Sequence, residues 1–488
     1  MKAFKVLNFA LIFYFLIPYV IFISFFHWQF SIDLNEFFWA FKNSLIQSLS
    51  AACAILFLAV PASCGLFRLH PRWQALTKKL LLIPQVLPSF FTILIAFSIW
   101  NPFPLGNIGI TFLFILIHLG FAVVLIQSAM VEKLGPFPYV AKVFSLSRFE
   151  FFLKIYFPLL RADLISCFLL IFVFCFSSFA IPLIAGGGRD TNLEVLIYEK
   201  IFISQNWSAA WVVSLVQSLF LTLVSLFLLR RDESSKREFI RSEFLSSNVG
   251  LIIVFGYLLI FNVGYGLGVV RALPELSKLD SFYSDILQAT LNSLSLLLVY
   301  VALSCVLLFA WLLDYVRHQK LNFAGHFIAA STMLVGFSFY LFFPQNVRWD
   351  FFKLPFAMSI LVFPVLFKSF LEKSILDLKE QVVTAKIFGI SNLQIVLHII
   401  FRQIQRNLGV WFLFLSIWFI CDFAVSRALG TQIATLGLLS QSFLSSYRIS
   451  LSYLMSLYIL VVWSLVLLTA YFLKGVASVA YQKFSLKL

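Results

Sequence analysis

Cysteine and histidine are the residue types best suited to hold a metal or to act as nucleophile and base, and this chain has six of each. Cys53, Cys64, Cys167, Cys175, Cys305 and Cys421 all fall in apolar stretches at irregular intervals. They read as small buried hydrophobes, not as a disulfide framework or a ligand set. His27, His70, His118, His318, His326 and His398 show no metal-ligand spacing either. Gly186, Gly187 and Gly188 suggest a phosphate-cradling loop, but no Lys-Ser/Thr follows at the required spacing, so they read as a turn. No ATP-binding motif occurs, and no His/Asp/Glu cluster has catalytic spacing. Catalytic residues, metal and cofactor are therefore all expected to be absent. Charge inside apolar sequence is the remaining chemistry. Asp422 lies within a long apolar run, where a carboxylate is costly and faces either a partner, such as Arg427, or a solute pathway. Asp163 and Asp314 lie near the ends of such runs and are expected to snorkel.

The elements that position these residues are set by composition. Hydrophobic residues make up 61% of the 488 and charged residues 12%, with a mean hydropathy of +0.98. A water-facing protein of this size needs far more polar surface, and the same figures exclude disorder and a secreted disulfide scaffold. A spanning helix needs about 20 apolar residues to cross a core about 30 Å thick. Twelve such runs are present, at 7–27, 44–66, 80–100, 108–130, 160–184, 208–230, 248–268, 286–314, 324–344, 352–371, 406–428 and 451–473. They are apolar all round, unlike barrel strands. The first is too long for a signal-peptide core and is expected to be a retained helix. Most of the 61 Phe face lipid or pack, while Trp28, Trp100, Trp207 and Trp349 sit near run ends as interfacial anchors. Pro61, Pro84, Pro88 and Pro364 are expected to kink their runs.

Net charge is +15, from 36 Lys+Arg against 21 Asp+Glu. This excess orients the chain in a membrane and does not call for a nucleic-acid partner. With a cytoplasmic N-terminus, 27 basic residues fall on the cytoplasmic side and nine (Lys42, Arg189, Lys200, Arg271, Lys278, Arg348, Lys353, Arg427 and Arg448) on the other. That bias satisfies the positive-inside rule and places both termini in the cytoplasm of a bacterial inner-membrane protein.

The most polar internal stretch, RRDESSKREFIRSEFLSS at 230–247, has six runs before it and six after. It divides the chain into a first half, 1–230, a cytoplasmic linker, 231–247, and a second half, 248–488. A shift of 244 residues aligns two loops without a gap. Ala141, Lys142, Phe144, Ser147, Leu153, Ile155 and Phe157 fall on Ala385, Lys386, Phe388, Ser391, Leu397, Ile399 and Phe401. Lipid-facing runs match by chance, because they share Phe and Leu, but the loop matches have no such excuse. Both loops join the fourth and fifth runs of their half, so the halves have parallel topology about an axis along the membrane normal.

The loops read YVAKVFSLSRFEFFLKIYFPLL at 139–160 and VTAKIFGISNLQIVLHIIFRQI at 383–404. Each is a short helical start, a break at Ser145 or Gly389, and an amphipathic stretch. They resemble the EAA loop of binding-protein-dependent ABC importer permeases: Glu-Ala-Ala, three residues, Gly, then Pro thirteen residues after the Gly. Ala141, Ser145 and Pro158 match that pattern in the first copy; Ala385 and Gly389 match it in the second, where Arg402 replaces the Pro. Tyr139 and Val383 occupy the Glu position. The segment SSFAIPLIAGGGRDTNLEVLIYEKIF at 177–202, with ICDFAVSRALG at 420–430 and ATLGLLSQSFLSSYR at 434–448, is similar to the fused thiamine permease subgroup.

The resemblance implies an all-α integral membrane protein of about twelve transmembrane helices, built as two fused six-helix ABC-importer-type permease halves. It implies two copies of an ABC ATPase subunit, holding the ATP and Mg, docked at Ala141, Lys142, Ser145, Pro158, Thr384, Ala385, Lys386 and Gly389. A periplasmic binding protein would deliver the solute near 186–206 and 430–447. The chain itself would catalyse nothing. The implied cargo is thiamine; fused ferric-iron or other small-ion permeases share the architecture. A secondary transporter is the reading from another class, and it predicts paired charges at mid-membrane, of which the sequence has few. Asp422, and Ser178 at its first-half equivalent, are the expected translocation-path positions.

Overall fold

The computed structural model describes residues 2–25, 32–87, 89–135, 137–228, 245–319 and 331–485. Among them every regular element is a helix. The first half contains α1 (Lys2–Ser24), α2 (Leu34–Gly65), α3 (Pro71–Val86), α4 (Ser89–Ile99), α5 (Asn107–Leu134), α6 (Phe137–Val143) and α7 (Arg148–Phe151). A π-turn leads into α8 (Phe157–Phe176), followed by α9 (Ala180–Ala185), α10 (Leu193–Tyr198) and α11 (Trp207–Leu228). The second half contains α12 (Asn248–Ala272), α13 (Tyr283–His318), α14 (Thr332–Phe342), α15 (Val347–Leu366), α16 (Glu372–Leu376), α17 (Lys379–Ile387) and α18 (Asn392–Gln394). It ends with α19 (Phe401–Ile420), α20 (Ala424–Ala428), α21 (Leu436–Ser445) and α22 (Ile449–Ser485). The linker 231–247 lies outside the described residues except for 245–247, as do His27, Trp28, Pro88 and His326.

The expected all-α membrane architecture stands. Among the described residues, seven helical stretches are long and apolar enough to cross a bilayer, and α3 with α4 makes an eighth if that bent pair is one span. One of the seven, Asn248–His318, is two helices, α12 and α13, joined by a 3-10 stretch at Leu273–Phe282 that carries Pro274, Glu275, Lys278 and Asp280. Three shorter apolar helices, Ala10–Ser24, Thr332–Phe342 and Asn407–Ile420, complete the set of about twelve.

Three runs that read as continuous in the sequence are broken. The third is split at Leu87, and its two pieces are bent by 98°. Leu87 precedes Pro88, which forces it out of helical geometry, and its ψ is 143°. The fifth ends at Phe176 and resumes at Ala180, and the eleventh ends at Ile420 and resumes at Ala424. Asp422 is therefore not inside a spanning helix but in the gap between two. Its side chain accepts backbone N–H groups that a continuous helix would use internally, so the carboxylate stabilises the break. Pro61, Pro84 and Pro364 lie inside α2, α3 and α15, and a π-turn, Phe367–Leu371, follows Pro364.

The chain forms two compact units, and each draws on both halves of the sequence. One comprises Ile17–Gly268 and His326–Phe342. Lipid offers little hydrophobic drive for helix association, so close packing and hydrogen bonds do that work. A Cβ on Gly65 of α2 would meet the backbone carbon of Gly250 in α12 at 2.3 Å, and one on Gly250 would meet the Pro61 carbonyl at 1.8 Å. The Tyr257 hydroxyl donates to the Leu116 carbonyl at 2.8 Å, and the Trp211 indole donates to the Phe22 carbonyl at 2.9 Å. The other unit comprises Met1–Leu16, Val269–Gly325 and Phe343–Leu488. Its core stacks Trp311 on Phe367 and Phe363 at centroid distances of 4.7 and 5.4 Å. The Tyr14 hydroxyl bonds Ser359 in the same unit.

The cysteines divide. Cys167, Cys175 and Cys421 are buried as expected, whereas Cys53 and Cys305 are exposed on their helices, and all are free thiols. Trp100, Trp207 and Trp349 are exposed near helix ends, where interfacial anchors belong.

Candidate functional site

The two matched loops fold alike bond for bond. In the first, α6 carries Ala141 and Lys142 and ends just before Ser145, whose φ is +53°. Ser145 N–H donates to the Lys142 carbonyl at 3.2 Å and Leu146 N–H to the Ala141 carbonyl at 3.0 Å. In the second, α17 carries Thr384, Ala385 and Lys386, and Gly389 has φ +74°. Gly389 N–H donates to the Lys386 carbonyl at 3.0 Å and Ile390 N–H to the Ala385 carbonyl at 3.1 Å. The left-handed residue turns the chain back and satisfies the carbonyls left open at a helix end. Ala141 and Ala385 are both buried beneath the turn. Only a small side chain suits that place.

The next step is also shared. Ser147 and Ser391 each close a capping box, with Glu150 and Gln394 respectively. Each box starts a short helix that widens into a π-turn, Phe152–Tyr156 or Ile395–Ile400, before α8 or α19 begins. The Ser147 backbone N–H and hydroxyl, followed by Lys154, hold the Glu150 carboxyl below its ordinary value. Pro158 sits in the first turn of α8, a position that tolerates a missing N–H.

Apolar side chains stand out from both loops. Phe144 and Phe149 are 72% and 71% exposed, and Ile387 and Phe388 are 78% and 79% exposed. The loops differ at the lysine that follows the buried alanine. Lys142 is exposed, whereas Lys386 is half-buried and its ammonium donates to the Arg317 carbonyl, at the end of α13, at 3.1 Å. Burial first, then Arg317, lowers the Lys386 pKa from its ordinary value.

Asp422 and Ser178 occupy equivalent breaks, each in its own unit. The Asp422 carboxylate accepts from Val425 N–H at 3.1 Å, Ser426 N–H at 3.0 Å and the Ser426 hydroxyl at 3.2 Å. The carboxylate thus caps α20, and no ion pair with Arg427 occurs among the described residues. The Ser178 carbonyl accepts from the Asn192 side chain at 2.7 Å. Neither Asp163 nor Asp314 merely snorkels: Asp163 pairs with Lys133 at 2.7 Å, and Asp314 is buried with the His318 Nδ1 at 3.0 Å. Gly187 and Gly188 have φ of +62° and +72°, and the Arg189 and Asp190 N–H groups close back on the Gly186 carbonyl, so the glycine triplet is a turn.

Two buried carboxylates escaped the sequence reading. Asp350 and Lys353 form a fully buried ion pair at 2.7 Å, and Asp350 also accepts Gln432 N–H at 2.7 Å and Ile433 N–H at 3.2 Å. Their i,i+3 spacing at the start of a run was the available signal. Glu194, at the start of α10, is also fully buried. It accepts from the Gln217 side chain at 2.7 Å, the Ser331 hydroxyl at 2.7 Å and Met333 N–H at 3.2 Å. The signal there was Ser214, Gln217 and Ser218, one polar face in an otherwise apolar run. The halves match here as well. Ser44 accepts Leu193 N–H and Ser293 accepts Leu436 N–H, each at 2.9 Å. Asn192 and Thr435 cap the helices that follow.

The chain is similar to two curated proteins, each called thiamine transport system permease protein ThiP. It is 26% identical to that of Haemophilus influenzae over 245 residues, 45% of either chain. It is 25% identical to that of Salmonella typhimurium over 252 residues, 48% of this chain and 46% of the other. The matched segment spans about half the length of these relatives. No family model matches the chain. No solved structure matches it.

Proposed function

We propose that this chain is the membrane permease subunit of an ATP-binding-cassette importer, and that it carries thiamine. One chain supplies both permease halves, 1–230 and 248–488, joined by the linker 231–247. Two copies of an ATPase subunit bind ATP and Mg and dock at the loops around Ser145 and Gly389, on the cytoplasmic side with both termini. A periplasmic binding protein hands the solute to the outer turns near 186–206 and 430–447. The chain forms the path in the bacterial inner membrane and performs no chemistry of its own.

The observation that carries this reading is the pair of loops. A membrane protein gains nothing within its own fold from presenting Phe144, Phe149, Ile387 and Phe388 to the outside of two identically built turns. A repeated apolar knob on a rigid turn suits two copies of one partner, each supplying the same groove. The Lys386 bond to the end of α13 ties the second loop to a spanning helix, which is what transmitting a push from such a partner requires. The resemblance to ThiP favours thiamine over ferric iron as cargo. Asp422 and Ser178 belong to the path in this reading, since each sits where a long apolar run is interrupted between two helices.

Uptake of labelled thiamine tests the reading. Cells lacking other thiamine importers, given this chain with the ATPase and binding-protein subunits of a thiamine importer, accumulate thiamine against a gradient. Uptake at the level of cells without the chain contradicts it.

A further inference from the structure

Glu194 lies in an unusual setting for a carboxylate. It is fully buried, and no Lys, Arg or His lies at ion-pair distance from it among the described residues. All three of its contacts are uncharged: the Gln217 amide, the Ser331 hydroxyl and the Met333 N–H. The last two belong to the start of α14. That helix has 11 residues, about 16 Å of rise, against a hydrocarbon core about 30 Å thick. Thr332–Phe342 is therefore shorter than a full span.

The cluster also has unmet polar groups. Gln217 turns its Nε2 to Glu194, and its own Oε1 is buried without a hydrogen-bond partner. The Ser214 and Ser218 hydroxyls, on the same face of α11, are buried without partners too. A buried acceptor without a donor is costly, and a buried carboxylate without a counter-charge is costlier. Among the described residues the carboxylate has no positive charge beside it, and the Gln217 Oε1 has no donor. A capping role alone leaves both unexplained, because the second-half position equivalent to Glu194 is Gly437, which has no side chain.

We propose that Glu194, with Gln217 and Ser331, is the station in the translocation path that selects a cationic solute. In the closed path the carboxylate is occupied by the start of α14. When the path opens, it releases Ser331 and Met333 and receives the cation, while Gln217 Oε1 accepts an N–H of the cargo. A small organic cation that carries an amino donor meets both demands. The inference deepens the importer reading and rests on it.

Glu194→Gln isolates charge from shape. The Gln217 amide can flip to offer its free Oε1 to the new amide, so the cluster stays bonded. Labelled thiamine uptake is measured for the wild type, Glu194→Gln and Glu194→Asp, alongside the amount of each in the membrane and the ATPase co-purified with it. The expected result is Glu194→Gln at wild-type abundance with at least tenfold lower uptake, and substantial recovery in Glu194→Asp. Glu194→Gln within twofold of the wild type overturns the proposal, because the charge is then not used. Loss of Glu194→Gln from the membrane assigns the residue to the cap of α14 and also overturns it. A wild type that takes up no thiamine is a different failure, of the importer reading itself, and the proposal falls with it.

Discussion

Ser145 and Gly389 hold the same left-handed backbone, and this changes what their substitution should do. From sequence alone, a serine needs no left-handed conformation and so should tolerate replacement better than the glycine. The structure overturns that premise: φ is +53° at Ser145 and +74° at Gly389. A side chain in that region costs about 1 kcal/mol, and a β-branched one more. A Cβ at Gly389 meets nothing within 4 Å, so the penalty there is backbone strain alone. Ser145→Gly should be neutral or stabilising by up to about 1 kcal/mol, and Ser145→Val and Gly389→Val should weaken their turns to similar degrees. ATPase retention on the purified permease checks this. Markedly greater sensitivity at Gly389 contradicts it. Asp422 is the second residue with a sharp expectation. Asparagine caps a helix about as well as aspartate, so Asp422→Asn keeps α20 and removes the charge. The path role expects normal assembly and strongly reduced thiamine uptake, whereas full uptake leaves Asp422 as a cap alone. The loop residues were legible because the pattern repeats outside the apolar runs. Glu194 was not: burial depends on α11 and α14, which lie far from it in sequence, and nothing local to Asn192-Leu193-Glu194 records them.

At the scale of elements, hydropathy found the helices and missed their interruptions. An apolar run marks lipid-compatible sequence, but it carries no sign of where the backbone turns inside it. The break at Leu87 was the readable one, because the proline that follows dictates it. At Cys421–Asp422 a side chain competes for backbone donors, and at Ser177–Ser178 the Ser177 hydroxyl donates to the Val173 carbonyl; both are weaker local signals. Close helix crossings were equally hidden, since a glycine in an apolar run does not say what it touches. Gly250→Val should drive a methyl into the Pro61 carbonyl and force α12 away from α2, whereas Gly256→Ala meets open space. Thermal unfolding in detergent should show a loss of several degrees for Gly250→Val and little change for Gly256→Ala. Equal stability of the two variants contradicts the crossing.

Across the whole molecule, the two halves of the sequence use the same devices at matched places. The left-handed turns, the capping boxes, the π-turns after them and the serine bonds to Leu193 and Leu436 all recur. The departures from this equivalence fall where function is proposed: Glu194 against Gly437, Asp422 against Ser178, and a tethered Lys386 against a free-standing Lys142. Scaffold repeated, path not repeated, is what a one-chain permease for an asymmetric solute requires. The central claim is that the twin loops carry ATPase subunits, and their apolar knobs give the most direct test. The permease is purified from detergent with a co-expressed importer ATPase, as the wild type and as a variant carrying both Phe144→Asp and Phe388→Asp. Both side chains are exposed, so the fold should survive and the variant should reach the membrane normally. The account predicts about two ATPase chains per wild-type permease, a tenfold or greater loss from the double variant, and loss of thiamine uptake with it. Equal ATPase recovery on the double variant would contradict it.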